Sequence, residues 1–216
     1  MQDPTVDTLS RNGHTPQDLD NVWTAKPALI CDLDGTLRYN KNDPPESGNR
    51  SFINNAYEIA FYDHVIEALW RYREDGFLIA IVTNQGGMAH GHLDMPAWHR
   101  QQGRMQELAT EIDDRGMPTH MTLPAFCMDS GSEDLYAYAS LRRKPAYGNL
   151  AILENQARMN NARIKWGSSY VIGDRTEDKQ LATAAREALA VDGPTFMWAE
   201  DWRQQIEQEF AGGGAP

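Results

Sequence analysis

Ala28-Leu29-Ile30-Cys31-Asp32-Leu33-Asp34-Gly35-Thr36-Leu37 is the stretch from which the rest of the chain is read. Four apolar residues in a row fit a strand buried on both faces, and the character changes abruptly at Asp32. Side chains at i and i+2 of an extended segment point the same way. Asp32 and Asp34 therefore emerge into one small volume and repel unless a proton or a hard divalent cation lies between them. Gly35 permits the sharp turn out of the sheet, and the Thr36 hydroxyl can tie the loop. A solvated Asp-Gly turn uses the same residues, so this segment alone leaves both readings open.

Short apolar runs and helical patterns alternate on either side of it. Phe77 to Val82 predicts a second strand, Thr119 to Cys127 a third, Ser169 to Ile172 a fourth and Thr195 to Trp198 a fifth. Pro124 lacks the donor a central strand needs, which weakens the third. Between them lie helices carrying Val65, Leu69 and Tyr72; Trp98, Met105, Leu108 and Ile112, with Asp94 as cap and Gly116 as stop; Leu150, Leu153 and Ala157; Leu181, Ala185 and Leu189; and Trp202, Ile206 and Phe210. Buried strands separated by amphipathic helices imply an α/β fold of Rossmann-like, doubly wound type. Its sheet is mostly parallel with helices on both faces, and its site lies outside the carboxyl ends of the strands. The polar residues 1–26 read as an N-terminal arm, 27–211 as the domain and 212–216 as a flexible tail.

Twenty basic against thirty-one acidic residues in a chain of 216 give a net charge of −11. No broad nucleic-acid-binding or membrane-binding surface is expected, and an anionic ligand must be caught locally. The longest apolar run, Phe77 to Val82, falls far short of the about 20 residues of a membrane span, and the start lacks the basic and apolar regions of a signal peptide. A soluble, cytoplasmic protein without a membrane partner is expected. Cys31 and Cys127, the two cysteines, read as small apolar residues. The sequence does not name an oligomeric state.

Three more strand ends carry polar groups. Thr83-Asn84-Gln85-Gly86-Gly87 offers a hydroxyl, an amide and flexible N–H groups where a phosphate would sit, although an ordinary turn looks the same. Arg142-Arg143-Lys144-Pro145 is the densest positive spot in an acidic chain, able to neutralise a phosphoryl group or to form a solvated basic turn. In Ile172-Gly173-Asp174-Arg175-Thr176-Glu177-Asp178, Asp174 leaves the strand and Asp178 enters the next helix, so both can approach a metal held by Asp32. Helix capping by Asp174 or Thr176 is the other reading there, and the helix dipole accounts for Glu177.

Taken in order, these four elements resemble the haloacid dehalogenase superfamily of phosphohydrolases, with its DxDGT loop, Thr or Ser after the second strand, Lys, and terminal GDxxxD. The resemblance spans about Pro27 to Phe210. It is closer to the subgroup of heptose bisphosphate phosphatases, histidinol phosphatases and polynucleotide 3'-phosphatases, through Thr83-Asn84-Gln85, Arg143-Lys144-Pro145 with Gly148, and Gly173-Asp174-Arg175 with Asp178. The resemblance implies that Asp32 attacks phosphorus to form an aspartyl-phosphate and that Asp34 protonates the leaving oxygen and later activates water. A departing alkoxide needs that proton and a halide does not, so Asp34 argues for ester chemistry. Mg²⁺ is implied, held by the Asp32 side chain, the Asp34 main-chain carbonyl, Asp174 and waters, with Asp178 close by. Thr83, Asn84 and Lys144 are implied to stabilise the equatorial oxygens, and Asn84, Gln85, Arg143 and Arg175 to contact substrate.

The chain departs from the heptose phosphatases between Cys127 and Asp134, which hold one Cys and no His where those enzymes carry a zinc loop. His90, His92 and His99 are better read as an exposed loop than as metal ligands. Leu37 to Asp63 and Met128 to Arg143 are too short for a cap domain, leaving Tyr39 to Arg50, His90 to Met95 and Asp129 to Ala139 to shield the site. The expected partner is a phosphorylated small molecule or a 3'-phosphate nucleic-acid end, the latter through a confined groove. Tyr136 and Tyr138 beside Arg142 could stack on a base there, although packing at the sheet edge is the preferred reading, and the Phe196 to Trp202 stretch also favours a polynucleotide. The alternatives are a polynucleotide 3'-phosphatase of end repair and, from a different class, a non-catalytic phospholigand-binding module.

Overall fold

A computed structural model describes residues 24–47, 51–118, 125–127, 142–189 and 192–212. The strands are β1 (Thr24–Lys26), β2 (Ala28–Cys31), β3 (Arg38–Asn40), β4 (Ile59–Phe61), β5 (Leu78–Asn84), β6 (Ala125–Cys127), β7 (Ala162–Ile164), β8 (Tyr170–Gly173) and β9 (Thr195–Trp198). The helices are α1 (Val65–Glu74), α2 (Met95–Ile112), α3 (Gly148–Met159), α4 (Thr176–Leu189) and α5 (Ala199–Gly212).

Every residue of β2 is buried because both faces of the strand are covered. Leu29 and Cys31 point with Ile79, Ile81 and Ile172 into a core closed by Val65 and Leu69 of α1, Trp98 and Met105 of α2, and Trp202 and Ile206 of α5. Ala28 and Ile30 point the other way, with Ala80, Val82 and Val171, against Leu150 and Leu153 of α3 and Leu181 and Ala185 of α4. This two-sided packing explains why the strand reads as an unbroken apolar run, and each buried Leu or Ile contributes roughly 1.5–3 kcal/mol to holding it. Burial also pushes the Cys31 thiol well above its ordinary range, in keeping with an inert core residue.

The five-stranded sheet has the order β6-β5-β2-β8-β9, and all its pairings are parallel. The chain leaves β2 for β5 on one side and returns to β8 on the other. The carboxyl ends of β2, β5 and β8 thus meet at the switch point of a doubly wound α/β fold. Strand β5 runs on through Thr83 and Asn84, beyond the expected end at Val82, because both residues pair there with β6. The two polar residues are therefore held in regular strand geometry at the crevice and not in a free turn.

Asp94 caps α2 through a bond from the Ala97 N–H to its side chain, as its position predicts. The helix ends at Ile112, which is exposed instead of in the core, and Gly116 takes a positive φ beyond it. Two small pairings lie outside the expected pattern: β1 runs parallel to β7, inside the stretch read as an arm, and β3 pairs antiparallel with β4. Strands of three residues carry no readable period. The expected third strand is only β6, with Pro124 outside the described residues, as are 1–23, 213–216, Tyr136, Tyr138 and the loop Asp129 to Ala139. Among the described residues no helix is long and apolar enough to cross a membrane, and no cap domain covers the carboxyl ends of the strands.

Candidate active site

The chain leaves β2 with the Asp32 N–H donating to the Ile172 carbonyl at 2.8 Å, which ties the loop to β8. The loop then folds on its own backbone: the Leu33 carbonyl accepts from Leu37 and Arg38 at 3.0 and 3.1 Å, and Gly35 donates to Arg38 O at 2.8 Å. The Thr36 hydroxyl, expected to tie this loop, is buried without a hydrogen bond among the described residues. Its place is taken by Arg203 of α5, which donates to the Gly35 and Thr36 carbonyls at 2.9 and 3.2 Å while its guanidinium lies 3.9 Å from the Tyr62 ring.

The spacing of Asp32 and Asp34 predicts a proton or a hard divalent cation between them, and each carboxylate has in addition a cationic side chain of its own. Asp34 Oδ1 accepts from Arg38 Nε at 2.7 Å and Oδ2 from Gln85 Nε2 at 2.8 Å. Burial raises the Asp34 pKa, yet the Arg38 guanidinium and the Gln85 amide outweigh it and hold the carboxyl below its usual range. Arg38 is fully buried, with Nη2 donating to Gln101 Oε1 at 3.0 Å. Neither Arg38 nor Gln101 is recognisable from sequence, because a lone Arg after an Asp-Gly turn and a lone Gln in a helix look like solvated residues.

Lys144 is the counter-charge of Asp32. It is 5% exposed and reaches into the sheet end, where Nζ bonds Asp32 Oδ1, donates to the Val82 carbonyl at 3.0 Å and pairs with Asp178 Oδ1 at 2.6 Å. Burial opposes its charge, but the two carboxylates hold the ammonium above its ordinary value. Burial likewise pushes the Asp32 carboxyl up to about 6 against the pull of Lys144. Asn84 positions this lysine: its Oδ1 accepts the Lys144 N–H at 2.9 Å and its Nδ2 donates to the Lys144 carbonyl at 3.2 Å. The Asn84 and Gln85 side chains, expected to contact substrate, line the cavity and at the same time bond protein groups; Gln85 Nε2 also bonds Thr83 Oγ1 at 3.0 Å.

Oxygens of Asp32, Asp174 and Asp178 lie within 4.8 Å of one another, and this is the one such group of metal-ligand side chains among the described residues. Gly35, at φ +86°, gives way to it: a Cβ there would overlap the Asp174 carboxylate. Gly173 does the same for Asp178, whose Oδ2 accepts the Arg175 N–H at 3.1 Å. Three hard oxygen donors opposed by one buried lysine fit a divalent cation of the Mg²⁺ kind. His90, His92 and His99 are exposed and form no comparable group.

Asp32, Asp34, Lys144 and Asp178 line a cavity of about 470 Å³ together with Thr83, Asn84, Gln85, Arg143, Arg175, His90 and His92, with the exposed Phe52 on its rim. Arg142 turns instead to Asn149, which donates back to the Arg142 carbonyl at 2.8 Å. The structure therefore brings together Asp32, Asp34, Thr83, Lys144, Asp174, Asp178, Arg143 and Arg175 from four separate segments.

The family model for polynucleotide kinase 3 phosphatase matches residues 28–206. D-glycero-beta-D-manno-heptose-1,7-bisphosphate 7-phosphatase of Yersinia pestis is 30% identical over 167 residues, 74% of this chain and 76% of that protein. The enzyme of the same name from Photorhabdus laumondii is 28% identical over 160 residues, with 74% and 76% covered. D,D-heptose 1.7-bisphosphate phosphatase from B. bronchiseptica, solved with magnesium and phosphate, superposes with a TM-score of 0.56 at 18% identity, covering 85% of this chain and 99% of that one, and so shares the fold. With the fold, the four strand-end segments and these relatives in agreement, the chain belongs to the polynucleotide kinase 3 phosphatase family and is a phosphomonoesterase of the haloacid dehalogenase type.

Proposed function

We propose that this chain hydrolyses the phosphate ester of a small phosphorylated sugar through an aspartyl-phosphate on Asp32, with residues 27–211 as the catalytic domain. The observation that carries the reading is the division of labour between the two aspartates. Asp32 faces a buried ammonium, and Asp34, two residues on, is gripped at both oxygens by different partners. The negative charge of the bound phosphate offsets Arg38, so that Asp34, ionised in the free site, takes up a proton with the substrate. An Asp32 oxygen then attacks phosphorus as the bond to the ester oxygen breaks, and Asp34 gives that oxygen its proton. Asp34 then takes a proton from water, whose oxygen attacks phosphorus, releasing phosphate and restoring Asp32. The Lys144 charge beside Asp32 and the Thr83 hydroxyl offset the negative charge on the phosphoryl oxygens, and Arg143 and Arg175 on the cavity wall contact the substrate. Asn84 acts on the reaction through Lys144, and Gln85 through Asp34 and Thr83.

Asp32 and Asp174 would hold Mg²⁺, with the Asp34 main-chain carbonyl and with Asp178 behind them, and the bound ion supplies Lewis-acid stabilisation of phosphoryl charge. Asp178 stands behind because both its oxygens already accept bonds, from Lys144 and from the Arg175 N–H. The heptose bisphosphate phosphatases among the relatives support a sugar phosphate as substrate. A free, buried Cys31 suits a reducing, cytoplasmic setting. The second reading, a 3'-phosphate at a nucleic-acid end, is favoured by the family match and by the lack of a cap domain among the described residues.

Purified protein with Mg²⁺ should turn over p-nitrophenyl phosphate, and a panel of sugar phosphates, nucleotides and 3'-phosphorylated oligonucleotides should give its highest kcat/KM on a sugar phosphate. A clear preference for the oligonucleotides would replace the first reading by the second. Asp34→Asn keeps the shape and removes the proton donor, so its loss should be about 10²–10⁴-fold on esters with poor leaving groups and much smaller on p-nitrophenyl phosphate. Equal losses across leaving groups would remove Asp34 from that role.

A further inference from the structure

Arg38 is a complete guanidinium inside the protein, at 0% exposure, where an apolar side chain of similar volume would avoid the desolvation that a buried charge carries. Its partners explain its presence. Nε donates to Asp34 Oδ1 at 2.7 Å, Nη2 to Gln101 Oε1 at 3.0 Å and Nη1 to the Met105 thioether at 3.3 Å, and Cζ lies 5.9 Å from the Trp98 ring. Gln101, itself 1% exposed, passes the contact outward, because its Nε2 donates to the Ile53 carbonyl at 3.0 Å. The neighbouring Phe52 carbonyl accepts from Asn40 at 3.1 Å, so the backbone of this rim segment is pinned twice from below while the Phe52 ring stands 79% exposed at the cavity mouth.

We propose that Arg38 and Gln101 are positioning residues that fix the plane of the Asp34 carboxylate and lock it in register with the Phe52–Ile53 rim, where the leaving group departs. The inference rests on the proton-transfer role given to Asp34. A carboxylate held at one oxygen can still swing about its side-chain torsions. Gripped at Oδ1 by Arg38 and at Oδ2 by Gln85, it presents one orientation. General acid catalysis depends on that orientation, since the donor must lie within hydrogen-bond reach of the ester oxygen in the substrate pose. Because one amide holds both Arg38 and the rim, the donor and the wall against which the leaving group lies keep a fixed relation.

Gln101→Met keeps the volume and removes both hydrogen bonds. Arg38→Lys keeps the charge and loses the fork, and Arg38→Met loses both. Each is assayed with Mg²⁺ on phenyl phosphate, whose leaving group is a weak acid, and on p-nitrophenyl phosphate, which has nearly the same shape and a much better leaving group. Gln101→Met should lower kcat on phenyl phosphate about tenfold or more, lower it less on p-nitrophenyl phosphate and leave KM within about twofold on both. Arg38→Lys should show the same bias and lie between wild type and Arg38→Met. If Arg38→Met does not fold by circular dichroism, Gln101→Met and Arg38→Lys carry the test. An equal fall on both esters, no fall, or a rise in KM at constant kcat overturns the proposal. Asp34→Asn run alongside separates the two levels. If it shows the leaving-group bias and Gln101→Met does not, only the positioning roles fall. If Asp34→Asn shows no bias, its acid role falls and takes this proposal with it.

Discussion

Asp32→Asn is expected to lower turnover of every phosphate ester on the order of 10⁴-fold or more, because an amide cannot form the acyl-phosphate. The loss should be chemical and not structural. Asn has the shape of Asp, and the group it replaces is a carboxylate whose burial pushes its pKa up to about 6 despite Lys144. A carboxyl with a raised pKa binds its proton more tightly folded than unfolded. The ionised form is thus a burden on the fold that grows as pH rises from the ordinary carboxylate range through about 6. In EDTA the wild type should therefore gain stability relative to Asp32→Asn as the pH falls toward that range, while at neutral pH relief of this burden is set against the loss of one of the two carboxylates that hold Lys144, which keeps Asp178. Steady-state turnover above a trace in this variant would remove Asp32 as nucleophile. A melting temperature well below wild type would show that the charge of Asp32 is needed to hold Lys144 and that this need outweighs the burden of burying it.

The architecture and the charged floor of the cavity were legible in the sequence for the same reason. A strand buried on both faces must be apolar throughout, so the polar residues at the ends of β2, β5 and β8 stand out as groups with no place in a core, and a parallel sheet gathers those ends at one crevice. Asp32, Asp34, Asp174 and Asp178 were readable in this way, and Lys144 through the basic run Arg142-Arg143-Lys144 in an acidic chain. What the sequence did not carry is which side chain answers which. Two aspartates at i and i+2 call for a proton or a divalent cation, and the tertiary fold adds what their spacing does not announce, a lysine 112 positions away for one and the buried Arg38 for the other. Amides serve either use. Asn84 and Gln85 have the right chemistry for a phosphate and line the cavity, and the backbone of Lys144 and the carboxylate of Asp34 are the partners that the chain itself supplies to them. Gln101 and Arg203 sit on helices at positions without any local signal, because their partners are distant in the chain.

Lys144→Met should have the largest effect on stability of any substitution in the cavity. Lys144 lies between Asp32 and Asp178, which are 7% and 1% exposed, and without it two buried carboxylates face each other with no cation. Breaking a buried pair from one side costs about 3–5 kcal/mol, because the remaining charge is left unpaired. Here one removal leaves two, so in EDTA the variant should melt far below the wild type. Mg²⁺ changes the comparison. An ion that binds only the folded cluster stabilises it by mass action, and the variant cluster, one positive charge poorer, should bind the ion more tightly. The rise in melting temperature on adding millimolar Mg²⁺ should accordingly be larger in Lys144→Met than in wild type, while kcat stays down by about 10²–10³-fold because the charge opposite the phosphoryl oxygens is still missing. Asp174→Ala should remove most of the Mg²⁺-dependent rise in either background. Equal melting with Mg²⁺ and EDTA in both the wild type and Lys144→Met would mean that Asp32 and Asp174 do not hold a metal together. Wild-type stability of Lys144→Met in EDTA would mean that the carboxylates find their protons or partners elsewhere.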